Sequence, residues 1–262
     1  KIDGMSVTFA TPRGNLRAVN DVTIELLQGE SLGVVGESGS GKTVLSRATM
    51  GLLPGTATRT GTITYNGKVI SELPKDEVRE LWGTGMAMIF QDPMTALNPV
   101  RRIGSQLTES LTVRLGMDKK AAKLKAIELL KRVRIPDPES MLRKFPYQLS
   151  GGMRQRIMIA IAVSCEPELL FADEPTTALD VTVQAQVLDL ITELRKESNM
   201  AMILVTHDLG VVAGHTDKIA VMYAGDVVEY APTRQLFAHM KMPYTEALLK
   251  SIPRLETPTG SR

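Results

Sequence analysis

The sequence predicts an α/β protein with a mostly parallel β-sheet that is covered by helices on both faces. Four short apolar runs, each typical of a buried strand, indicate the sheet: 31–36, 86–90, 169–172 and 201–205. Strands that are apolar throughout, rather than alternating, are typical of a parallel sheet buried on both faces. A covering helix is indicated where apolar residues recur at helical spacing, at Val187, Leu188, Ile191 and Leu194.

The first elements can be placed in order along the chain. The strand at 31–36 precedes a stretch compatible with a helix at 42–52. Residues 62–65 then alternate between apolar and polar, and they are followed by the dipeptide Asn66-Gly67. This combination predicts a β-hairpin near the front of the chain.

The strand signal disappears between Pro99 and Cys165, where the patterns at 119–133 and 151–165 predict helices. From about Pro232 the sequence shows two short helical patterns and then a stretch that is expected to fray. We therefore expect four segments. Residues 1–98 form the first part of an α/β core with an antiparallel β part, 99–165 a helical subdomain, 166–230 the remainder of the core, and 231–262 a helical tail.

Composition and charge limit the class of protein. The chain has 262 residues, 43% of them hydrophobic, so it can bury a sizeable core. Its net charge of +2 gives no overall field that would attract nucleic acid or a membrane surface. The single cysteine, Cys165, excludes an internal disulfide and a cysteine-based metal cage. The longest apolar run, 157–163, is far shorter than the about 20 residues of a membrane helix, so any role at a membrane depends on partner subunits.

The strongest local signal is a glycine-rich motif between a predicted strand and a predicted helix, Gly36-Glu37-Ser38-Gly39-Ser40-Gly41-Lys42-Thr43. It has the G-x-x-x-x-G-K-[ST] spacing of a phosphate-binding loop, whose backbone N–H groups curl around an anion. The start of the following helix adds the positive end of its dipole. Lys42 can then reach the β- and γ-phosphates of a nucleotide, and the Thr43 hydroxyl can bind Mg²⁺.

The apolar run at 169–172 ends in two carboxylates, Asp173 and Glu174. Ligands of open α/β sheets gather at the carboxyl ends of the strands, so both side chains are expected near the phosphate loop. There, Asp173 can bind Mg²⁺ and Glu174 can polarise an attacking water. The alternative is a pair of solvated acids at the end of a strand.

Three further motifs identify a family. Gln91 follows the strand at 86–90, His207 follows the strand at 201–205, and the helical segment contains Leu149-Ser150-Gly151-Gly152-Met153-Arg154-Gln155-Arg156. Each alone has an ordinary structural explanation. Together with the phosphate loop, the acidic strand end and Ala178-Leu179-Asp180, they resemble the ATP-binding cassette (ABC) ATPases of membrane transporters over roughly residues 2–230. The resemblance implies a RecA-like P-loop NTPase core with a mostly parallel sheet, an N-terminal antiparallel β subdomain and a helical signature subdomain.

The resemblance also implies how ATP and Mg²⁺ are bound. The nucleotide contacts of one chain are expected at Phe9, Gly36, Glu37, Ser38, Gly39, Ser40, Gly41, Lys42, Thr43 and Val44. A second cassette completes the site in trans through Ser150, Gly151, Gly152, Gln155 and Asp180. Mg²⁺ binding is expected from Thr43, Gln91 and Asp173, and catalysis from Glu174, His207 and Gln91. Phe9 is expected to stack on adenine, with a core strand position as the alternative, and Arg154 and Arg156 to make structural contacts.

Finer features resemble the oligopeptide/dipeptide branch of bacterial importers. They are the segments 91–99, 172–182 and 207–213, and Pro243-Tyr244-Thr245 ahead of Ile252-Pro253. That branch includes nickel and glutathione importers, so peptide is the expected solute and nickel, glutathione or another small solute is the alternative. Many members continue into a C-terminal extension with clustered cysteines, which this sequence does not contain. We therefore expect either that the tail is truncated or that a second cassette follows.

The ATPase subunit of such an importer is expected to lie at the cytoplasmic face of the membrane, as a peripheral subunit. Its partners are then a second ATPase subunit, identical or paralogous, two transmembrane permease subunits and, indirectly, an extracytoplasmic solute-binding protein. The competing class is a soluble cassette ATPase acting on nucleic acid or ribosomes, which usually carries a coiled-coil insertion, zinc-binding cysteines or a tandem arm. Gln91 and Ser150 lie only 59 positions apart, which leaves room for a compact helical subdomain. This spacing favours the transporter class, with no nucleic-acid partner.

Overall fold

The computed structural model describes residues 1–177 and 179–251. Within them the strands are β1 (Ile2–Thr11), β2 (Gly14–Ile24), β3 (Ser31–Val35), β4 (Ala57–Tyr65), β5 (Lys68–Val69), β6 (Met86–Ile89), β7 (Leu169–Asp173), β8 (Ala201–Thr206), β9 (Lys218–Tyr223) and β10 (Asp226–Pro232). The helices are α1 (Lys42–Thr49), α2 (Lys75–Glu80), α3 (Pro93–Ala96), α4 (Ile103–Leu115), α5 (Lys119–Arg132), α6 (Pro138–Met141), α7 (Gly151–Ala162), α8 (Val181–Ser198), α9 (Leu209–His215), α10 (Thr233–Ala238) and α11 (Pro243–Lys250). A 3₁₀ turn at Pro146–Gln148 precedes α7. The chain forms two compact units.

The first unit comprises Lys1–Ile24, Ser31–Ile63 and the chain from Leu204 onward. Its antiparallel sheet contains the long hairpin β1–β2, and β4 pairs with the other edge of β1. In the other sheet of this unit, β3 pairs in parallel with β9, and β9 pairs antiparallel with β10. All five residues of β3 are buried. The apolar run predicted at 31–36 is therefore a core strand, and it leads directly into the glycine-rich segment.

The second unit comprises Glu25–Glu30 and Thr64–Ile203. Here β6 and β7 are parallel neighbours, and the first half of β8 follows in the order β6-β7-β8. Helices α4, α5 and α7 pack against one another. Their apolar faces form the core of this helical part, where the largest fully buried side chains include Leu107, Leu111, Leu129, Leu130 and Ile157. Because apolar residues recur three or four positions apart along each helix, they form one apolar face that is buried.

The predicted hairpin is confirmed at β4–β5. Tyr65 and Lys68 are paired in register, so the connection consists of Asn66 and Gly67 alone. Both residues have positive φ, 47° and 78°, as a two-residue type I′ turn requires. Asn66 tolerates the left-handed region because of its amide side chain, and Gly67 because it has no Cβ. The dipeptide is therefore a reliable predictor of a hairpin turn.

The boundaries of the two units differ from the segments expected from the sequence. The regular elements within 99–165 are all helical, as predicted, but β6 and β7 belong to the same unit as these helices. The physical reason is that α7 packs against both β6 and α8. The tail expected at 231–262 is helical at α10 and α11, whereas 252–262, with the predicted Ile252-Pro253 motif, lies outside the described residues. In the part of the chain that the structure describes, no helix is long and apolar enough to cross a membrane.

Candidate functional site

The glycine-rich segment forms the loop between β3 and α1 in the first unit. Gly36 must lack a side chain, because a Cβ there would lie 2.2 Å from the carbonyl oxygen of Met222. Gly41 has a φ of 103°, and a Cβ there would lie 2.3 Å from the carbonyl oxygen of Ala18. No side chain caps the start of α1. The first N–H groups of a helix have no acceptors within the helix, so this helix start is suited to an anion.

Two buried polar side chains line the loop. The ammonium group of Lys42 donates hydrogen bonds to the carbonyl oxygens of Gly36 and Glu37, both at 2.8 Å, although the residue is only 4% exposed. The hydroxyl oxygen of Ser40, also 4% exposed, has no hydrogen-bond partner among the described residues. Burying an unpartnered hydroxyl costs free energy unless a ligand supplies the partner. The loop therefore contains a buried positive charge and a buried hydroxyl group. A bound phosphate would neutralise the charge and give the hydroxyl a hydrogen-bond partner.

The acidic pair lies in the second unit, at the end of β7. Asp173 is fully buried, and Glu174 follows it with a φ of 44°, a region that glutamate rarely adopts. The amide nitrogen of Gln91 donates to Oε2 of Glu174 at 2.9 Å, and the Thr177 hydroxyl donates to the same oxygen at 3.1 Å. Strained backbone of this kind persists only where its surroundings hold it, and it clusters at functional sites.

The register of two strands explains why Gln91 meets Glu174. β6 and β7 are parallel, and Ile89 pairs with Ala172. Gln91 and Glu174 each lie two residues beyond these paired positions, so they leave the sheet side by side. The sequence predicted both residues as catalytic, and the structure brings them into direct contact.

The signature segment and the predicted D-loop begin two helices of the second unit. Ser150 is the N-cap of α7, and its hydroxyl oxygen accepts a hydrogen bond from the Met153 N–H at 3.3 Å. Asp180 is the N-cap of α8, and its carboxylate accepts from the Val183 N–H at 3.0 Å. A Cβ on Gly152 would lie 3.2 Å from the Val183 side chain, so the two helix starts are close together. Ala178, the first residue of the predicted D-loop, lies outside the described residues.

Helix α7 also carries two further residues of the signature segment, Gln155 and Arg156. Gln155, predicted to contact nucleotide in trans, is only 1% exposed, so its side chain does not reach the surface of the unit. Met158, three residues further along the same face of the helix, is buried as well. Arg156 donates to the carbonyl oxygen of Val133 at 3.1 Å and to the Gln186 side chain at 2.9 Å. Its predicted structural role is thus confirmed.

Phe9 and His207 both lie in the first unit. Phe9 is a half-buried residue of β1 and is paired with Leu16 and Ala57 on the flanking strands. His207 is exposed and directly follows β8, at the carboxyl end of that strand. Stacking of Phe9 on adenine and the switch role of His207 stay predictions.

One residue of the loop's surroundings was not predicted. The Tyr244 hydroxyl of α11 accepts a hydrogen bond from the Glu37 N–H at 3.1 Å, and its ring packs against Tyr223 with 4.7 Å between centroids. Partial burial raises the pKa of Tyr244, so the hydroxyl remains protonated and neutral at physiological pH. Glu37 and Tyr244 are 207 positions apart, and no local sequence pattern indicates that they contact each other. The C-terminal segment therefore touches the backbone of the phosphate loop.

The loop, the uncapped helix start and the acidic strand end define the class of P-loop nucleoside triphosphatases. Comparison with known families is more specific. The model of the ABC transporter family matches residues 19–177, and the model of the oligopeptide/dipeptide transporter C-terminal region matches residues 228–262. The chain therefore belongs to the ABC transporter family and is one of its ATPases. The family and the activity predicted from the motifs are confirmed.

Individual relatives agree with this assignment. The oligopeptide transport ATP-binding protein OppD of Salmonella typhimurium is 49% identical over 257 residues, 98% of this chain and 77% of that protein. The dipeptide transport ATP-binding protein DppD of Bacillus subtilis is 48% identical over 257 residues, 97% of this chain and 77% of that protein. The solved structure of a dimeric bacterial ABC transporter cassette has a TM-score of 0.79 and 25% identity, and the match covers 89% of this chain and 98% of that chain. The predicted α/β fold class is thereby confirmed.

Proposed function

We propose that this chain is the ATP-hydrolysing motor subunit of a peptide importer. The observation that carries the proposal is the presence of two matches in one chain, the ABC cassette at 19–177 and the oligopeptide/dipeptide transporter region at 228–262. In this proposal, two cassettes close on ATP, and hydrolysis reopens them. Two permease subunits convert this cycle into uptake of peptide delivered by an extracytoplasmic binding protein. The chain then lies peripherally at the cytoplasmic face of the membrane.

ATP binding is assigned to the phosphate loop. Lys42 is held by two backbone carbonyls, so its ammonium is already positioned for the β- and γ-phosphates and loses little freedom on binding. Ser40 supplies a buried hydroxyl that a phosphate oxygen can satisfy. The remaining loop residues, Glu37, Ser38, Gly39, Thr43 and Val44, contribute backbone or side-chain contacts, and Phe9 supports the adenine.

The residues present also fit Mg²⁺. Among the described residues, no group of three or more His, Cys, Asp and Glu side chains is arranged to hold a metal ion. Mg²⁺ does not need such a cage, because it keeps several waters and binds one or two protein oxygens together with substrate phosphates. Thr43, Asp173 and the amide oxygen of Gln91 would hold it, since Gln91 uses its amide nitrogen on Glu174. When bound, the ion neutralises charge on the phosphates.

Glu174 is proposed as the residue that orients and activates the attacking water. The hydrogen bonds from Gln91 and Thr177 to Oε2 fix the carboxylate in one orientation, which is what a general base requires. His207 is proposed to orient the water and the γ-phosphate. Gln91 then has two functions, because it contacts the catalytic carboxylate and can report whether a nucleotide with its metal is present.

The second cassette is proposed to supply Ser150 with Gly151 and Gly152. The oxygen of Ser150 accepts from Met153 N–H, so its own O–H hydrogen can be donated to a γ-phosphate. The 12-residue helix α7 adds its positive N-terminal end to the same place. Asp180 holds the start of α8 beside this segment. The signature thus forms a second anion site that complements the phosphate loop of a partner.

Ser150→Arg is expected to leave ATP binding by the monomer intact and to abolish hydrolysis at the site completed for the partner. The phosphate loop is unaffected by the change, whereas the bulky guanidinium occupies the space of the partner's γ-phosphate. ATP binding is measured by direct titration of the monomer, and phosphate release is measured in the assembled transporter. Ser198→Arg, the same substitution at the exposed end of α8, is the control and should remain active. Loss of nucleotide binding by the Ser150→Arg monomer would show that the signature acts in cis.

Tyr244→Phe is expected to raise the KM for ATP by about twofold to tenfold with little change in kcat. A neutral hydrogen bond contributes about 0.5–1.5 kcal/mol, and here it holds the Glu37 backbone rather than the reacting groups. Steady-state phosphate release over a range of ATP concentrations gives both constants. Tyr230→Phe, on β10, is the matched control. An unchanged KM for Tyr244→Phe, or a change confined to kcat, would contradict the positioning role.

Reconstitution tests the proposed cargo. The chain is co-expressed with the products of neighbouring genes, purified from detergent-solubilised membranes and incorporated into vesicles with ATP inside. Uptake of labelled short peptides is measured beside uptake of nickel and of glutathione, with Glu174→Gln as the inactive control. ATP-dependent accumulation of peptide, and not of the other two solutes, supports the proposal. Accumulation of nickel or glutathione alone would contradict the proposal and assign the chain to a nickel or glutathione importer of the same branch.

A further inference from the structure

A cavity in the helical part of the second unit has no assigned role. It lies where α4, the start of α5 and the end of α6 meet, and its volume is about 530 Å³. None of the residues proposed for ATP hydrolysis lines it. Its walls carry five basic side chains and one acidic side chain: Arg101, Arg102, Lys119, Lys123, Arg143 and Glu109.

The charge of the cavity is not balanced from within. Glu109 is paired with Arg101, whose Nη1 lies 2.6 Å from the carboxylate. Within residues 1–177 and 179–251, no ion pair neutralises the other four cations. The cavity therefore carries a net charge of +4, whereas the whole chain carries only +2. The other four cations are exposed, so water and salt partly screen their charges. A concave surface lined by one sign of charge nevertheless raises the local concentration of an anion.

Two of the groups around the cavity are already positioned for a ligand. The Arg102 guanidinium packs over the Phe145 ring, 5.6 Å from its centroid, so it is held in place without losing its charge. The Ser105 hydroxyl oxygen accepts a hydrogen bond from Arg101 at 2.9 Å, which leaves its own hydrogen available to donate. The first two N–H groups of α4, at Ile103 and Gly104, already donate to the carbonyl oxygens of Lys144 and Leu142, both at 2.9 Å, so the groups of the cavity that can bind an anion are its side chains. The nearby acid Asp118 is used in capping α5, where it accepts from Lys120 and Ala121.

We propose that this cavity is a binding site for a phosphate-bearing anion, either a small free phosphate compound or the headgroup of an anionic phospholipid. Guanidinium groups bind phosphate through two parallel hydrogen bonds, and lysines bind it as point charges, so the mixture of side chains suits a tetrahedral, multiply charged anion. The volume is sufficient for such a group. This site is separate from the phosphate loop, and the proposal does not depend on which solute is imported.

The test compares two double variants on the same helix. Lys119→Gln with Lys123→Gln removes two cations from the cavity, and Lys120→Gln with Lys131→Gln removes two exposed cations of α5 that do not line it. Inorganic pyrophosphate is titrated by calorimetry into protein saturated with ADP, which blocks the phosphate loop. Co-sedimentation with phosphatidylglycerol vesicles is measured in parallel, with phosphatidylcholine vesicles as the uncharged comparison.

The cavity variant is expected to weaken one of the two interactions about fivefold or more, and the control variant to change it less than about twofold. A response to pyrophosphate identifies a free phosphate compound, and a response confined to phosphatidylglycerol identifies a headgroup. Absence of binding to either probe, or equal weakening in both double variants, overturns the proposal. Thermal unfolding checks that each variant is folded. Arg143→Gln, on a different element, replaces the double variant if that one is unstable, and the same outcomes then decide.

Discussion

Glu174→Gln is expected to reduce steady-state ATP hydrolysis by about 10²–10⁴-fold while ATP binding persists. The amide has nearly the same shape as the carboxylate, so the turn at the end of β7 and the contacts of Lys42 are retained. It cannot take a proton from water, however, and it cannot accept from Gln91 and Thr177 as a carboxylate does. The substitution thus removes the proposed general base and keeps the shape of the site.

Removal of this charge also has a consequence for assembly. In the proposed mechanism the carboxylate and the γ-phosphate repel each other, so the amide is expected to increase the fraction of the closed, ATP-bound dimer. Phosphate release and the dimer fraction with ATP are measured on the same preparation, by light scattering or in the assembled transporter. Glu139→Gln, an exposed acid on α6, is the control for the change of charge alone. Activity within a fewfold of the parent would remove Glu174 from the mechanism, and lost ATP binding would show damage to the site.

The phosphate loop was predictable because its requirements are local. Gly39 and Gly41 adopt positive φ values, and Lys42 reaches carbonyls only five and six residues away. The burial of the strands was predictable for a similar reason, because a run of apolar residues is stable only where it is removed from water. The hairpin at Asn66 and Gly67 belongs to the same group, since two adjacent residues determine its turn.

Contacts between distant segments could not be predicted in this way. The Gln91–Glu174 hydrogen bond depends on the register of β6 against β7, and sequence patterns do not specify register. The Tyr244 contact depends on where α11 packs, after more than two hundred intervening residues. Gln155 was assigned to the surface by its place in the signature motif, whereas the rotation of α7 about its axis turns it inward. In each case, tertiary packing decides what a correctly identified residue can touch.

Lys42→Ala is expected to lower the affinity for ATP by at least about tenfold. In the proposed site the ammonium makes charge-assisted contacts with the β- and γ-phosphates, and such hydrogen bonds contribute about 1.5–3 kcal/mol each. In the structure the same group donates to the carbonyl oxygens of Gly36 and Glu37. The substitution therefore also removes two contacts that shape the loop, and the two effects must be measured separately.

Thermal unfolding with and without nucleotide separates them. Loss of the two loop contacts lowers the unfolding temperature in the absence of ATP, and this decrease is independent of nucleotide. Loss of phosphate contacts instead removes the stabilisation that a ligand confers, which grows as RT ln(1 + [L]/Kd). At an ATP concentration about ten times the Kd of the parent, ligand binding stabilises the parent by about 1.4 kcal/mol and a tenfold weaker Lys42→Ala by about 0.4 kcal/mol. The rise in unfolding temperature should therefore fall to about a third or less of the parent's, while the control Lys75→Ala, an exposed lysine on α2, should show the full rise. If Lys42→Ala is destabilised without ATP but shows the same ATP-dependent rise as the parent, Lys42 supports the loop and does not bind the phosphates.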